Sequence, residues 1–511
     1  MKLQRILFAF LVLFVAAPAA AQTKQIKKID KYIEESRQAW NIPGMAVAIV
    51  KDGEVVLSKG YGVRNIDNEL PVDDKTLFAI ASNTKAYTSA ALAILVDEGK
   101  ITWDDKVRDH LPYFELYDPY VSNNMTIRDL LCHRSGLETF SGDLIWYGSD
   151  YSREEIIRRA KHLVPAYGFR EHFGYQNIMF LTAGEIVSTV SGMSWDEFIK
   201  TRFFEPLGMS TSNTSIGEFN RDSNVASPHN DINGVNHAIQ WVNWDNIGPA
   251  GSINSCVSEC AQWIKLQLGE GTLDSTEFWS PVRTREMWTV HTANSISGWS
   301  AKNYPTKTFA GYGLGWDLFN YHGKKIVNHG GGYDGMISKT VLVPEENLGF
   351  IIVTNNINWM STALMYRILD EMIGGGAERD WAGDFLGFKQ DQDAQTKTSD
   401  AAAEEARTKN TTPSLALEEY TGTYGGEIYG NCIVRLIGDQ LAFQFEHTSL
   451  FRGTFRHWHF DTFQLNWGTE MMLPSGSVQF VLNPDGKVAE MKIVVPNPDF
   501  DFAELEFKKL D

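Results

Sequence analysis

The chain has few cysteines, no basic blocks and few long apolar runs, and each shortage excludes a class of protein. Its 4 cysteines in 511 residues are so scattered that we expect neither a disulfide framework nor a zinc-type ligand set, and we interpret them as small buried apolar residues. The 64 acidic residues outnumber the 46 basic ones, for a formal net charge of -18, and no Lys/Arg-rich block interrupts that surplus. Nucleic acid is therefore not an expected partner, because phosphate binding needs a basic surface. Beyond the N terminus, no apolar stretch reaches the length of about 18 residues that a membrane span requires.

The apolar content of the chain is high enough for a folded protein. Hydrophobic residues make up 43% of the sequence and charged residues 22%. That composition excludes a wholly disordered or collagen-like chain. At roughly 150 residues per domain, the length predicts two to four domains, or one large domain with an appendage.

The first 21 residues have the pattern of a signal peptide. Lys2 and Arg5 form a positive n-region, and Ile6 to Val15 is a continuous apolar run. Three alanines at 19–21 are the small residues that a signal peptidase reads. We predict cleavage before Gln22 and an exported protein, periplasmic or secreted, with no stable membrane span after cleavage. The alternative is an uncleaved N-terminal anchor.

The pattern of residues 22–376 predicts one α/β (α+β) domain. Helices are expected over 25–40 and over Ser82 to Glu98, and Asp52-Gly53 predicts a hairpin turn between two strands. The closing elements are four strands and a last helix, over Tyr312–Phe319, Lys325–Asn328, Ser338–Val343, Leu348–Thr354 and Met360–Met372. Because strands come from both ends and helices from the middle, we expect an antiparallel sheet with helices on both faces.

Residues 377–411 and 412–511 differ in composition from the preceding domain. Residues 377–411 are rich in Asp, Glu, Gln, Lys, Ala and Thr and have little apolar face, which predicts a linker that is partly helical. From Leu415, short alternating apolar segments recur about every 8–12 residues, separated by turn residues such as Asp485-Gly486. This spacing predicts a small all-β barrel or sandwich over 412–511.

Ser82 and Lys85 are the first candidates for chemistry. Ser82 stands at the predicted start of a helix, and Lys85 lies one turn later on the same face. A serine hydroxyl becomes a nucleophile when a base takes its proton, and a lysine can do so if its pKa is lowered towards neutral. The alternative is a helix N-cap serine beside a solvated lysine. Because Ser-x-x-Lys recurs by chance, this motif alone does not decide between the two.

Tyr175 and Asn177 are the second pair of candidates. They precede an apolar helical run that begins at Ile178, which puts Tyr175 on a loop entering a helix. A phenol beside an ammonium group could pass protons to a leaving group, and an amide could orient the lysine or hold a substrate carbonyl. The alternative is a buried structural tyrosine with a helix-capping asparagine.

His329 and the glycines at 330–332 are the third candidate site. We expect a strand to end at His329, and the glycines indicate that backbone approaches another group closely. Free N–H groups at such an edge can form half of an oxyanion hole, the N–H of Ser82 being the other half. The alternative is a glycine-rich turn with an exposed histidine. A dinucleotide fingerprint is excluded, because a strand rather than a helix follows.

Taken in order, the three sites resemble the motifs of the serine β-lactamases and penicillin-binding proteins: Ser82-x-x-Lys85, Tyr175-x-Asn177 and His329-x-Gly331. The chain resembles above all the class C β-lactamase-related group, which includes esterases and D-aminopeptidases. The resemblance covers roughly residues 25–375 and implies a β-lactamase-like antiparallel sheet flanked by helices, with an all-helical subdomain. Residues 412–511 resemble the lipocalin-like β-barrel appended to some members.

The resemblance also implies a role for each motif residue. Ser82 is the nucleophile that becomes acylated, and Lys85 accepts its proton. Tyr175 relays protons during acylation and deacylation, and Asn177 orients the site. No metal or organic cofactor is required.

The third motif departs from the pattern of many relatives, which have a lysine where this chain has His329. That lysine is a permanent cation for a substrate carboxylate, whereas a histidine with a pKa of about 6.5 is largely neutral at pH 7. The departure favours ester or amide substrates over penicillins. Gly331 and Gly332 are implied to lie beside the substrate, with the Gly332 N–H as the second oxyanion donor. Arg170 is either structural or supplies the missing cation.

Three hypotheses about function follow. The first is an exported serine hydrolase that acts through a covalent acyl-enzyme on an amide (peptide) or ester bond, with Trp241 and Trp244 lining an acyl pocket or else packing in the core. The second is a true β-lactamase or D,D-carboxypeptidase acting on penicillins or peptidoglycan stems. The third is a non-catalytic protein that binds peptidoglycan or a partner on the same scaffold. A homo-oligomer is compatible with each.

Overall fold

The computed structural model of the chain describes residues 22–218, 223–304, 306–374, 379–468, 473–497 and 499–510. The predicted signal peptide, residues 1–21, lies outside these ranges. Within the described residues, no helix has the length and apolar content needed to cross a membrane.

The strands of the N-terminal unit, residues 22–374, form one large sheet and several short pairs. In chain order they are β1 (Gly44–Lys51), β2 (Glu54–Gly62), β3 (Phe78–Ala79), β4 (His229–Ile232), β5 (Val235–Ala238), β6 (Asn254–Ser255), β7 (Thr272–Leu273), β8 (Thr276–Glu277), β9 (Thr292–Asn294), β10 (Ala310–Tyr312), β11 (Asp317–Tyr321), β12 (Lys324–Tyr333), β13 (Met336–Val343) and β14 (Leu348–Thr354). The order in the large sheet is β2-β1-β14-β13-β12-β11-β10-β9. Because β1 pairs antiparallel with β14, the sheet is built from both ends of the unit, as predicted.

Most of the helices of the N-terminal unit lie between β2 and β9, and together with α1 and α14 they cover both faces of the sheet. In chain order the α-helices of the described residues are α1 (22–39), α2 (Thr84–Asp97), α3 (Val107–His110), α4 (Pro119–Asn124), α5 (Ile127–Leu131), α6 (Asp143–Trp146), α7 (Arg153–Arg159), α8 (Asn177–Ser191), α9 (Trp195–Ile199), α10 (Gly248–Gly251), α11 (Val257–Leu268), α12 (Pro281–Met287), α13 (Gly298–Asn303), α14 (Met360–Ile373) and α15 (Trp381–Ala406). Helix α11 packs on β1 and β14, and α14 packs on β13 and β14.

The sheet separates two hydrophobic cores. Ala48 of β1 belongs to the core that contains α2, α8 and α11, and its neighbour Ile49 belongs to the core under α1 and α14. Successive residues of a strand point to opposite faces. This explains why β1 is apolar on both faces and almost wholly buried. The four cysteines are buried and free, as interpreted from the sequence.

One predicted strand is in fact a hairpin. The segment expected as a single strand over Tyr312–Phe319 forms two strands, β10 and β11, which pair antiparallel with each other. Gly315 lies in the turn between them with a φ of +78°. Glycine adopts this left-handed conformation without a steric penalty, so it allows the chain to reverse there.

The predicted end of the strand that carries His329 is also wrong. The strand expected to end at His329 continues through the three glycines, and β12 stays in register with β13 as far as Tyr333 opposite Met336. Pairing with β13 satisfies those backbone groups of the glycines that point to this edge of β12, so a strand is retained although glycine is a weak strand former.

Helix α15 lies within the predicted linker, and a closed barrel follows it. The 26-residue helix buries only side chains near its start, among them Trp381 and Phe385. The C-terminal barrel consists of β15 (Gly422–Gly426), β16 (Gly430–Ile437), β17 (Gln440–Phe445), β18 (Arg452–His459), β19 (Thr462–Trp467), β20 (Gly476–Leu482), β21 (Val488–Val494) and β22 (Phe507–Lys509). These strands close on themselves, which confirms the predicted all-β barrel. Gly486, with a φ of +77°, forms the predicted turn between β20 and β21.

Candidate active site

Ser82 lies in a tight turn between β3 and α2. One turn of 3₁₀-helix leads into α2, and the Ser82 side chain is half-buried. The turn is fixed to β13, because Asn83 Nδ2 donates to Ser338 Oγ at 2.7 Å and Ser338 Oγ donates to the Ile80 carbonyl at 2.6 Å. Ala81 has a φ of +46°, a left-handed conformation that is uncommon for a residue with a Cβ. Such outliers cluster at functional turns, where the surrounding structure maintains them.

Gly331 brings β12 against the turn that carries Ser82. A Cβ at Gly331 would lie 2.3 Å from the carbonyl oxygen of Ile80, so only glycine allows the two backbones to come this close. Gly332 is exposed, and a Cβ there would meet only Ile337, at 3.8 Å. The use of the Gly332 N–H as an oxyanion donor stays a prediction.

The amine of Lys85 is fully buried among three oxygen atoms. Its Nζ lies 3.1 Å from Ser82 Oγ, 2.7 Å from Asn177 Oδ1 and 2.9 Å from the Ala250 carbonyl oxygen. Burial lowers the pKa of Lys85 to about 7, against the carboxyl of Asp143, which raises it. The alternative of a solvated lysine beside an N-cap serine is therefore excluded for this structure.

The geometry around Lys85 determines which atom can take the proton of Ser82. A neutral amine has two N–H donors and one lone pair, and the oxygens of Asn177 and Ala250 can only accept. These two oxygens therefore take both N–H groups. The lone pair is left for the third contact, the Ser82 hydroxyl, which can donate its proton to it.

Asp143, at the start of α6, sets the orientation of Asn177. Its Oδ2 accepts a hydrogen bond from Asn177 Nδ2 at 2.6 Å, and its Oδ1 accepts one from Trp146 Nε1 at 2.9 Å. Because Nδ2 of Asn177 faces Asp143, Oδ1 faces Lys85. Burial raises the pKa of Asp143 to about 7, while the hydrogen bonds from Trp146 and Asn177 act in the opposite direction. Asp143 lies in none of the three motifs, so the sequence does not predict it.

Tyr175 lies on the loop before α8, as predicted, and its ring covers the lysine. Lys85 Nζ is 4.7 Å from the centroid of the Tyr175 ring. Burial raises the pKa of Tyr175 above its usual range, although a hydrogen bond with the Ser82 side chain acts to lower it. Tyr175 is therefore a neutral phenol near pH 7, able to donate a proton. The ring of the buried His133 lies next to the Tyr175 ring. Its Nδ1 accepts a hydrogen bond from the backbone N–H of Gln176 at 3.0 Å, which is a structural role.

His329 is neutral and held by two hydrogen bonds. Its Nδ1 lies 2.6 Å from the Gly330 carbonyl oxygen and must carry the proton, so Nε2 accepts from the Tyr312 hydroxyl at 2.8 Å. Burial lowers the pKa of His329 to about 3, and the nearby Lys85 acts in the same direction. The third motif therefore supplies no cation. The three motifs do not include Tyr312, although a tyrosine between Gly311 and Gly313 is a signal for close packing.

Arg170 is bound to a buried carboxylate. Its Nη2 lies 2.6 Å from Oδ2 of Asp129, and its Nε lies 3.0 Å from Oδ1. Asp129 is fully buried, receives a second guanidinium from Arg134 at 2.6 Å, and closes a capping box with Thr126 at the start of α5. The structure therefore favours the structural alternative for Arg170 over the missing cation.

Trp241 and Trp244 occupy different positions beside Tyr333, at the end of β12. The Trp241 and Trp244 rings lie 5.1 and 4.8 Å from the Tyr333 ring, measured between centroids. Trp241 is buried in the core, whereas Trp244 is half-buried. A Cβ at Gly251 would lie 3.1 Å from the Trp244 ring and 3.8 Å from the backbone of Ala81. Trp244 is thus near the nucleophile turn and is the better candidate for an acyl pocket.

The fold and the site together support a serine hydrolase, with a hydroxyl, a buried amine and a phenol brought together beside the edge of an antiparallel sheet. The family model described as beta-lactamase matches residues 29–370, and the chain belongs to this family. A second model, described as a domain of unknown function (DUF3471), matches residues 406–509. That description assigns no role to the C-terminal barrel, so its likeness to lipocalins stays a prediction.

Individual relatives agree with this assignment. The chain is 27% identical over 423 residues to unguisins hydrolase ungD' of Aspergillus campestris, which covers 78% of this chain and 75% of that protein. The octameric penicillin-binding protein homologue from Pyrococcus abyssi matches 95% of this chain and 100% of its own, with a TM-score of 0.61 and 21% identity. The D-amino acid amidase from Ochrobactrum anthropi matches 68% of this chain and 99% of its own, with a TM-score of 0.57 and 21% identity. At these identities the two structures show a shared fold.

Proposed function

We propose that this protein is an exported serine hydrolase that cleaves an amide (peptide) or ester bond through a covalent acyl-enzyme on Ser82. The observation that supports it most is the environment of Lys85. Its amine is buried and lies 3.1 Å from Ser82 Oγ, and when the amine is neutral and donates to Asn177 and Ala250, its lone pair is left for the Ser82 hydroxyl. A buried amine with a pKa of about 7 is partly unprotonated at neutral pH and can act as a base.

Acylation begins when Ser82 Oγ attacks the substrate carbonyl carbon and transfers its proton to Nζ of Lys85. The carbonyl π electrons move to the oxygen, and the resulting oxyanion accepts hydrogen bonds from the N–H groups of Ser82 and Gly332. The bond to the leaving group then breaks, and that group takes a proton from the phenol of Tyr175, which Lys85 re-protonates. The products of this step are an ester on Ser82 and a protonated amine or alcohol.

Deacylation repeats these steps with water as the nucleophile. A water molecule attacks the acyl carbon and gives a proton to the Tyr175–Lys85 pair, and the second tetrahedral species is stabilised by the same N–H groups. The bond to Ser82 Oγ breaks, and the serine recovers its proton. A carboxylic acid is released, and the free enzyme is restored.

The charges of the site favour amides and esters that are recognised without a carboxylate. His329 is neutral, with a pKa lowered to about 3, and the guanidinium of Arg170 is bound to Asp129. A penicillin or a peptidoglycan stem would bring a carboxylate that neither side chain neutralises. The names of two similar proteins, a hydrolase of unguisins and a D-amino acid amidase, support an amide substrate.

The decisive experiment is intact-mass analysis of the full mature chain after exposure to a fluorophosphonate and, separately, to a penicillin. We expect one fluorophosphonate adduct, absent in Ser82→Ala. Turnover of D-amino-acid amides, p-nitrophenyl esters and a chromogenic cephalosporin then identifies the substrate class. Rapid cephalosporin hydrolysis would support a β-lactamase instead, and the lack of any adduct would support a non-catalytic binding protein.

Export and oligomeric state need separate measurements. Expression of all 511 residues in a Gram-negative host, followed by fractionation, should give a periplasmic or secreted protein. Its intact mass should correspond to a chain that begins at Gln22. A mass that still includes residues 1–21 would contradict cleavage. The structural neighbour from Pyrococcus abyssi is described as octameric, so light scattering of the purified protein tests whether this chain forms an oligomer.

A further inference from the structure

A side chain of the C-terminal barrel contacts the loop that carries Asp143. Glu504 ends the 3₁₀-helix Phe502–Glu504, between β21 and β22. Its Oε2 accepts a hydrogen bond from the backbone N–H of Gly142 at 2.9 Å and a second one from the Tyr429 hydroxyl. Gly142 and Glu504 are 362 positions apart in the chain, so this contact exists only when the barrel packs on the N-terminal unit.

The contact is made at a residue whose conformation is tightly constrained. Gly142 has a φ of +82° and is the N-cap residue of α6, and Asp143 follows as the first residue of that helix. A Cβ at Gly142 would lie 2.6 Å from Leu163 and 2.9 Å from Ile178. The backbone can therefore take this path only with glycine, and its N–H points out of α6 to the carboxylate of Glu504.

From this point, a continuous line of hydrogen bonds leads to the nucleophile. Asp143 Oδ2 accepts from Asn177 Nδ2 at 2.6 Å, Asn177 Oδ1 accepts from Lys85 Nζ at 2.7 Å, and Lys85 Nζ lies 3.1 Å from Ser82 Oγ. Each member of this line is oriented by the one before it. A displacement of the backbone at Gly142 would therefore move the carboxylate that fixes the Asn177 amide.

Other barrel residues hold the same loop. The Phe500 ring lies 4.4 Å from the Tyr147 ring between centroids, and the Asp150 N–H donates to the His447 carbonyl oxygen at 3.0 Å. Ser149 forms an isolated antiparallel β-bridge with Thr448. The barrel thus contacts the loop from 142 to 150 at several points, of which Glu504 is the one next to Asp143.

We infer that Glu504 is a positioning residue of the active site: it holds the Gly142–Asp143 backbone and, through Asp143 and Asn177, the contact between Lys85 and Ser82. The inference rests on the proposed function, because it assigns Lys85 as the base. It gives the C-terminal barrel a part in catalysis. Glu504 itself touches no reacting atom.

The test uses the full mature chain with Glu504→Ala, Glu504→Gln and the matched control Glu506→Ala. Glu506 is exposed and two positions along the chain, and its substitution removes the same charge without touching Gly142. The readout is the second-order rate constant for fluorophosphonate labelling of Ser82, which needs no knowledge of the substrate, together with the melting temperature of each variant.

We expect Glu504→Ala to label about 10- to 100-fold more slowly than wild type, because a small displacement of a positioned group has large kinetic effects. Glu504→Gln keeps an oxygen that can accept from the Gly142 N–H, so its rate should return to within a few-fold of wild type. Glu506→Ala should label at the wild-type rate. With a substrate in hand, Glu504→Ala should lower kcat and leave KM nearly unchanged.

Two outcomes would overturn the inference. If Glu504→Ala is labelled as fast as Glu506→Ala, the contact does not act on the nucleophile. If Glu504→Gln is labelled as slowly as Glu504→Ala at an unchanged melting temperature, the hydrogen bond to Gly142 is not the cause of the slower labelling. Failure of the proposed function is distinguishable from both, because wild type itself would then not be labelled on Ser82.

Discussion

Nζ of Lys85 lies 2.7 Å from Oδ1 of Asn177, although the two residues are 92 positions apart in the chain. The other end of the same amide donates to Asp143 at 2.6 Å. A flipped amide would place its oxygen against the carboxylate of Asp143, two acceptors facing each other, and its N–H groups would occupy the lone pair of Lys85. Asn177 therefore has one stable orientation, and that orientation directs the lone pair of Lys85 to the nucleophile.

Substitution Lys85→Met tests the assignment of the base. Methionine has a similar length and suits a buried apolar site, so we expect the melting temperature to be maintained or raised. The value of kcat/KM should fall by about 10²- to 10⁴-fold or more, the usual contribution of a general base. Steady-state kinetics and thermal unfolding check both expectations. Near-normal rates in a folded Lys85→Met protein would mean that another group takes the proton of Ser82.

The pH profile of kcat/KM should rise through pH values of about 7 and then level off. Lys85 must be unprotonated to act as a base, and burial lowers its pKa to about 7. The activity is therefore present above that pKa and is lost as the pH falls through it. A rate that is constant from pH 5 to 9 would contradict a lysine base.

Substitution Asp143→Asn should shift the rising limb of that profile to lower pH. The carboxyl of Asp143 raises the pKa of Lys85, so its removal lowers that pKa, while the new amide oxygen can still accept from Asn177 Nδ2. Asp391→Asn, a substitution on the exposed face of α15, is the matched control and should leave the profile in place. A shift of the limb to higher pH in Asp143→Asn would contradict the assigned interaction.

Substitution Gly331→Ala should inactivate the protein, and Gly330→Ala should be tolerated. The added Cβ at 331 would lie 2.3 Å from the Ile80 carbonyl oxygen and would push the nucleophile turn away, whereas at 330 its nearest neighbour would be the end of the Lys339 side chain, rather than a backbone atom, at 3.1 Å. We expect a loss of stability of about 1–3 kcal/mol for Gly331→Ala from overpacking. The loss of activity should be about 100-fold. Equal behaviour of the two variants in denaturant unfolding and kinetics would show that β12 does not constrain the turn.

Substitution Arg170→Met should lower stability and leave KM unchanged. Asp129 is fully buried, so the loss of one charged partner should decrease the free energy of unfolding by about 1–3 kcal/mol. Arg158→Met, which breaks an exposed ion pair with Glu154, is the control and should have a smaller effect. A large rise in KM with normal stability would instead return Arg170 to the role of a substrate-binding cation.

Local features of the sequence were sufficient to predict much of the molecule. The Asp52-Gly53 hairpin, the helix after Ser82 and the alternating strands of the barrel follow from turn chemistry and hydrophobic period, which depend on neighbours in the chain. The neutral state of His329 also followed from its residue type, and burial then lowers its pKa further. Predictions failed at Tyr312–Phe319 and at the glycines after His329, because strand pairing there overrides local propensity.

The sequence by itself determined the candidate catalytic groups, since the hydroxyl of Ser82, the amine of Lys85 and the phenol of Tyr175 follow one another in the chain in the order of a known family. Only the tertiary structure decided what surrounds them. Asp143 behind Asn177, Tyr312 on His329, Asp129 under Arg170 and Glu504 on Gly142 are contacts between distant segments. The packing of the sheet, the helices and the barrel creates these contacts, and a local pattern does not encode the distance between residues that are 17 to 362 positions apart. The same packing removes water from Lys85, and that removal lowers the pKa of an ordinary lysine to the value of a base.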